Sequence, residues 1–159
     1  MKKNTKIQSI ALSDKVGLYS IIFENNKESE FREFLLKYKD NSRLNKDYRA
    51  IITAINLIIT NGALERYFRV EGKMNDRVAA LSIDSRRLRL YCLRISDQVL
   101  ILGNGGEKGS RTYEESEDLN GYVMDLQRFD ELLKMAQKQG NIKIEQNIIT
   151  GIEEASFEL

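Results

Sequence analysis

The chain has 159 residues, enough for one domain with a real core, and 42% of them are hydrophobic, so it folds rather than staying disordered. It has no histidine and no proline, and its one cysteine is Cys92. The commonest general base, the commonest zinc ligand and any internal disulfide are thereby excluded. Net charge is +1, but residues 112–159 hold 4 basic and 11 acidic residues. The near-neutral total therefore hides a basic front and an acidic rear. The start of the chain shows no apolar run of the secretory kind, and no apolar stretch approaches the length of a bilayer span. A cytoplasmic protein with no membrane partner is the expectation.

Residues 1–15 read as an N-terminal lead. Residues 16–23, rich in bulky and β-branched side chains, predict a strand, and residues 24–26 a turn. A helix is predicted from about Ser29 to Lys39, with Phe31, Phe34, Leu35 and Tyr38 at three-four spacing. Residues 40–42 break it. A second helix is predicted over 45–60, where Tyr48, Ile51, Ile52, Ile55, Ile58 and Ile59 form an apolar stripe and Gly62 closes the end. A short link between two helices predicts an antiparallel hairpin.

Residues 78–83 predict a strand without a cation, and a turn follows at 84–86. Residues 87–95 and 99–102 predict two antiparallel strands around the polar turn Ser96-Asp97-Gln98. The second is expected to empty into a glycine-rich loop, Gly103-Asn104-Gly105-Gly106-Glu107-Lys108-Gly109-Ser110. That loop fails as a phosphate-binding P-loop because Gly109 follows the lysine where Ser or Thr is needed. A long helix is predicted over 115–139, with Leu119, Val123, Leu126, Phe129 and Leu133 facing inward, and Gly140 ends it. Residues 140–159 read as a C-terminal extension with a small hairpin. The order predicts one α+β domain over 16–139. It would be two-layered, an antiparallel meander sheet with the N-terminal helix hairpin on one face and the long helix and extension after it.

Arg87 and Arg89 are two residues apart and point to one face of their strand, while Arg94 points to the other. Fixed cations over a concave sheet suit a phosphate backbone, because a guanidinium fork holds two phosphate oxygens at once. Metal-free RNA cleavage also needs a proton donor and acceptor. Without histidine these fall to Tyr, Lys, Glu or Asp, and Tyr113 or Glu107 stands nearest in sequence. Cys92, inside an apolar strand, reads as a buried inert thiol. The acids Glu114, Glu115, Glu117 and Asp118 read as partners of a helix dipole rather than as metal ligands, and no cofactor is expected.

In this order of elements, with Leu88-Arg89-Leu90-Tyr91 on the penultimate strand and Gly106-Glu107-Lys108-Gly109-Ser110-Arg111-Thr112-Tyr113 after the last, the chain resembles the RelE/ParE toxin superfamily, in its HigB and phage-derived branch. The resemblance implies the toxin of a type II toxin–antitoxin pair, a ribosome-dependent messenger RNA endonuclease. The alternative it admits is a non-catalytic binding or inhibitory module, such as a gyrase inhibitor or a phage-derived regulator. It implies Arg89, Lys108, Arg111 and Tyr113 as catalytic residues and a cognate antitoxin, messenger RNA and the ribosome as partners. The lysines that RelE carries on the first meander strand have no counterpart in 78–83, so Lys73 and Arg77, just before it, and Arg87 are the further RNA-binding expectations. The acidic C-terminal segment is expected, on a third reading, to cover the basic face.

Overall fold

A computed structural model of the chain describes residues 3–70, 76–84, 87–108 and 117–159. In chain order the elements are β1 (Asn4–Leu12), β2 (Gly17–Phe23), α1 (Glu30–Tyr38), α2 (Asn45–Asn61), a 3-10 turn (Glu65–Tyr67), β3 (Phe68–Val70), β4 (Val78–Leu81), β5 (Leu88–Arg94), β6 (Val99–Glu107), α3 (Glu117–Lys138), β7 (Lys143–Glu145), β8 (Ile148–Thr150) and β9 (Phe157–Glu158). Among the described residues the main sheet has seven strands in the order β3-β4-β5-β6-β2-β1-β9, and β7 and β8 form a separate hairpin. The β2–β6 pair is parallel, with Gly17 opposite Val99 and Ser20 opposite Leu102, and the other pairs are antiparallel.

The α+β architecture expected from the sequence is corrected in three respects. The sheet is mixed rather than an antiparallel meander. The two early helices do not form a hairpin on it: α1 packs across β6 and β2, and α2 against β5. The layers number three, because α3 covers the opposite face. Side-chain alternation gives the reason. On β5, Leu88, Leu90 and Cys92 point into the core under α1 and α2, while Tyr91 and Leu93 point into the core under α3. On β6, Leu100 and Leu102 take the first side and Val99 and Ile101 the second. Strands apolar on both faces need cover on both.

The strand β2 is interior for the same reason: Leu18 faces one core, and Tyr19 and Ile21 the other. Its outer neighbour, β1, lies in the segment read as a lead. Only Thr5 and Ile7 of β1 are buried, between exposed Lys6 and Gln8, and a bulge at Ile10 interrupts its register with β2.

Local signals set the helix ends. Ser29 caps α1 by accepting the Arg32 N–H at 3.1 Å. Gly62, at φ +98°, closes α2 and returns its N–H to the Ile58 carbonyl at 2.7 Å. Ile51, Ala54, Ile55 and Ile58 are the buried stripe of α2. On α3, Leu119, Val123, Leu126, Phe129 and Leu133 are all buried. At ~1.5–3 kcal/mol per side chain their burial sums to an upper bound of about 7–15 kcal/mol. Most of α3 is thus core, not appendage. No helix among the described residues is long and apolar enough to cross a membrane.

Candidate nucleic-acid interface

The register of β5 on β6 decides which cations meet. Leu88 lies opposite Glu107 and Arg89 opposite Gly106, and the Lys108 N–H donates to the Arg87 carbonyl at 2.6 Å. Arg87, Arg89 and Lys108 are therefore gathered at one end of the strand pair. The start of α2 is tied to the same end, where the buried Asp47 carboxylate accepts the Leu88 N–H at 2.9 Å. The α1–α2 connection arrives there too. Arg43 holds Glu107 with both prongs of its guanidinium, Nη2 to Oε1 at 2.6 Å. This end therefore gathers Arg43, Arg87 and Lys108, with exposed Lys46 beside Asp47 and exposed Lys39 and Asp40 in the connection.

Arg43, by hydrogen bond and by charge, and Arg87, by charge, hold the Glu107 carboxyl below its ordinary range. A carboxylate so stabilised is a weak proton acceptor, which weighs against the sequence expectation that Glu107 serves proton transfer. Arg89 is 6% exposed. It points to the same face as Tyr91 and Leu93, beneath α3.

Of the glycines in the expected loop, Gly103, Gly105 and Gly106 belong instead to β6, Gly103 and Gly106 seat α3, and Gly109 lies outside the described residues. A Cβ on Gly103 would stand 2.9 Å from Leu126 Cδ1, and one on Gly106 would stand 3.0 Å from Leu119 Cδ2. Gly105 makes room on another side, since its Cβ would fall 1.8 Å from the Arg89 carbonyl oxygen. The close approach these glycines permit is thus to the chain's own helix and neighbouring strand.

Arg77 does not join the cluster. Its carbonyl accepts the Arg94 N–H at 2.9 Å, at the far end of β5. Five residues at about 3.3 Å each put that position about 17 Å along the strand from Arg89. There the guanidinium is paired with Asp130 of α3, Nε to Oδ2 at 3.1 Å. Arg94 lies on the opposite face, where Nε donates to the Ala63 carbonyl at 2.7 Å and the fork also pairs with Asp97. Lys73, Arg111 and Tyr113 lie outside the described residues. Cys92 is buried, and burial pushes its thiol well above the ordinary range.

A second polar cluster was not read from the sequence. The β2–β6 ladder stops at Leu102, so among the described residues β6 has no strand on that side from Gly103 onward. Polar side chains close the gap. Lys37 of α1 donates to the Gly105 carbonyl at 3.0 Å and to the Tyr122 hydroxyl of α3 at 3.2 Å. Asn104 Nδ2 stands 3.4 Å from a carboxylate oxygen of Glu30 and of Glu33, and its Oδ1 accepts the Gly105 N–H at 2.8 Å. Lys3 pairs with Asp125 at 2.9 Å and stands 4.8 Å from the centre of the Phe23 ring.

Burial, with Glu33 alongside, raises the Glu30 carboxyl to about 7. Burial, with Glu30 and Asp118 nearby, pushes the Tyr122 phenol up to about 12, and burial lowers the Lys37 ammonium. The only sequence signal for this cluster is the placement of Glu30, Glu33 and Lys37 on one side of a short helix. Its depth depends on β6 outrunning β2, which is a matter of topology. Among the described residues no group of three or more His, Cys, Asp or Glu side chains is placed to hold a metal ion. No family model, curated protein or solved structure matches this chain.

Proposed function

We propose that this chain is a non-catalytic binding and inhibitory module of the RelE/ParE kind that takes an RNA phosphate backbone at the end of the sheet where β5 begins and β6 ends. The reading rests on one juxtaposition. Cations from three separate segments, Arg43, Arg87 and Lys108, converge there, while two neighbouring carboxylates are already engaged, Glu107 by Arg43 and Asp47 by the Leu88 N–H. At that end Lys39, Arg43, Lys46, Arg87 and Lys108 outnumber Asp40, Asp47 and Glu107, and arginine forks and a lysine are the groups that hold phosphate oxygens. A cognate antitoxin is the protein partner that the resemblance supplies.

Cleavage is the rival reading, with Arg89, Lys108, Arg111 and Tyr113 as its residues. It is less supported because Glu107, one of the two groups nearest in sequence for proton transfer, is held ionised by a guanidinium. The test pairs RNA binding with mapping of transcript ends in translating extract. Binding that weakens in Arg87→Ala and in Lys108→Ala, without new transcript ends, is expected. New ends that disappear in Arg89→Ala would overturn the non-catalytic reading in favour of a messenger RNA endonuclease. Binding indifferent to both substitutions would overturn the interface.

A further inference from the structure

α3 is unevenly anchored along its length. From Val123 onward it is fixed by Val123, Leu126, Phe129 and Leu133, by the Phe129 ring packed on Phe157 at 5.0 Å, and by Asp130 on Arg77. Its first turn has one buried side chain, Leu119, seated over Gly106, and two exposed acids, Glu117 and Asp118. Gly106 is the cross-strand partner of Arg89, and cross-strand partners point to one face. Leu119 thus closes the spot where the Arg89 side chain rises from the sheet.

Between the two parts stands Asn120-Gly121. Asparagine competes for backbone hydrogen bonds and is a weak helix former, and glycine is weaker still. Among the described residues nothing in the packing asks for that glycine, because a Cβ at position 121 would meet none of their atoms within 4 Å. An alanine would fit without strain and would make the better helix. The poorest helix former of α3, Gly121, therefore sits at the joint between its start and its core-anchored body.

We propose that the first turn of α3 is a gate hinged at Asn120-Gly121, which unwinds to let an RNA phosphate reach Arg89 at the cationic end of the sheet. The proposal rests on the reading of that end as a phosphate site. Opening lifts Leu119 off Gly106 and carries the negative charge of Glu117 and Asp118 with it. The body of α3 stays seated. Because only the open form offers Arg89, apparent affinity scales with the open fraction.

The test uses the full chain, a short single-stranded oligoribonucleotide and amide hydrogen exchange. The informative amides are those of residues 121–124, whose helical acceptors are the carbonyls of 117–120. They are expected to exchange faster than the amides of 127–134. Gly121→Ala is expected to slow them and to weaken RNA binding, both by about two- to fivefold. Leu119→Ala is expected to act in the opposite direction on both readouts. Met124→Ala, at an exposed position on the anchored body, is expected to change neither.

Exchange at 121–124 as slow as at 127–134 would overturn the gate. So would RNA affinity unmoved by Gly121→Ala and Leu119→Ala while Arg87→Ala still lowers it. If Arg87→Ala and Lys108→Ala leave binding unchanged, the phosphate site itself has failed, and the exchange rates still judge the gate.

Discussion

Replacing Glu30 with glutamine isolates the energetic consequence of letting β6 outrun β2. The Glu30 carboxyl is 6% exposed, stands 3.4 Å from Asn104 Nδ2, and titrates at about 7 against an ordinary 4.5. Its folded-state value is raised, so between those two limits the folded chain holds the proton more tightly than the unfolded chain. The stabilising effect is complete below the ordinary value and is lost as pH rises through about 7. At about 1.4 kcal/mol per unit, the charged form above that range costs on the order of 3 kcal/mol. Glutamine keeps an oxygen for Asn104 and carries no charge. The variant and the parent chain should therefore match near about pH 4, and the variant should be more stable by about 3 kcal/mol near about pH 8. Urea unfolding across that range measures the difference directly, and other titrating groups cancel between the two proteins. A variant that is less stable than the parent at the upper pH, or a gap that does not change with pH, would refute the reasoning.

Two further outcomes follow from the sheet end. Gly105→Ala should prevent the native β5–β6 register, because its Cβ would fall 1.8 Å from a backbone oxygen; Gly140→Ala, at φ +79° with open space around it, should cost only about 1 kcal/mol by urea unfolding. Comparable effects from the two would show that the glycines of β6 are not seats. Glu107→Gln releases the Arg43 fork, so RNA binding should tighten several-fold by fluorescence anisotropy; unchanged affinity would remove Arg43 from the interface.

Periodicity exposes those parts of the fold that one helix face or one strand pair determines. The stripe Ile51, Ile55, Ile58 marks α2 because its spacing repeats with the helix, and the two-residue step from Arg87 to Arg89 fixes their common face. The layer count is harder to read, since an apolar run such as Leu88-Arg89-Leu90-Tyr91-Cys92-Leu93 is compatible with one covered face or two until the partners are known. The strand β1 escapes notice because only Thr5 and Ile7 turn inward. Glycines at 103, 105 and 106 have the composition of a loop, and only the nearness of Leu119, Leu126 and the Arg89 carbonyl shows why side chains are missing from a strand. At the site, the cations on β5 and β6 are visible in sequence. Arg43 is not, because its place depends on how the α1–α2 connection crosses the sheet end.

The most direct test of the phosphate site is the salt dependence of RNA binding. If Arg43, Arg87, Arg89 and Lys108 each meet a phosphate, the logarithm of affinity should fall against the logarithm of salt with a slope of about −2.8, at roughly −0.7 per contact on a single strand. Substituting both Arg87 and Lys108 with alanine should bring that slope to roughly −1.4. A slope that stays the same in the double variant, or binding that ignores salt altogether, would contradict the account.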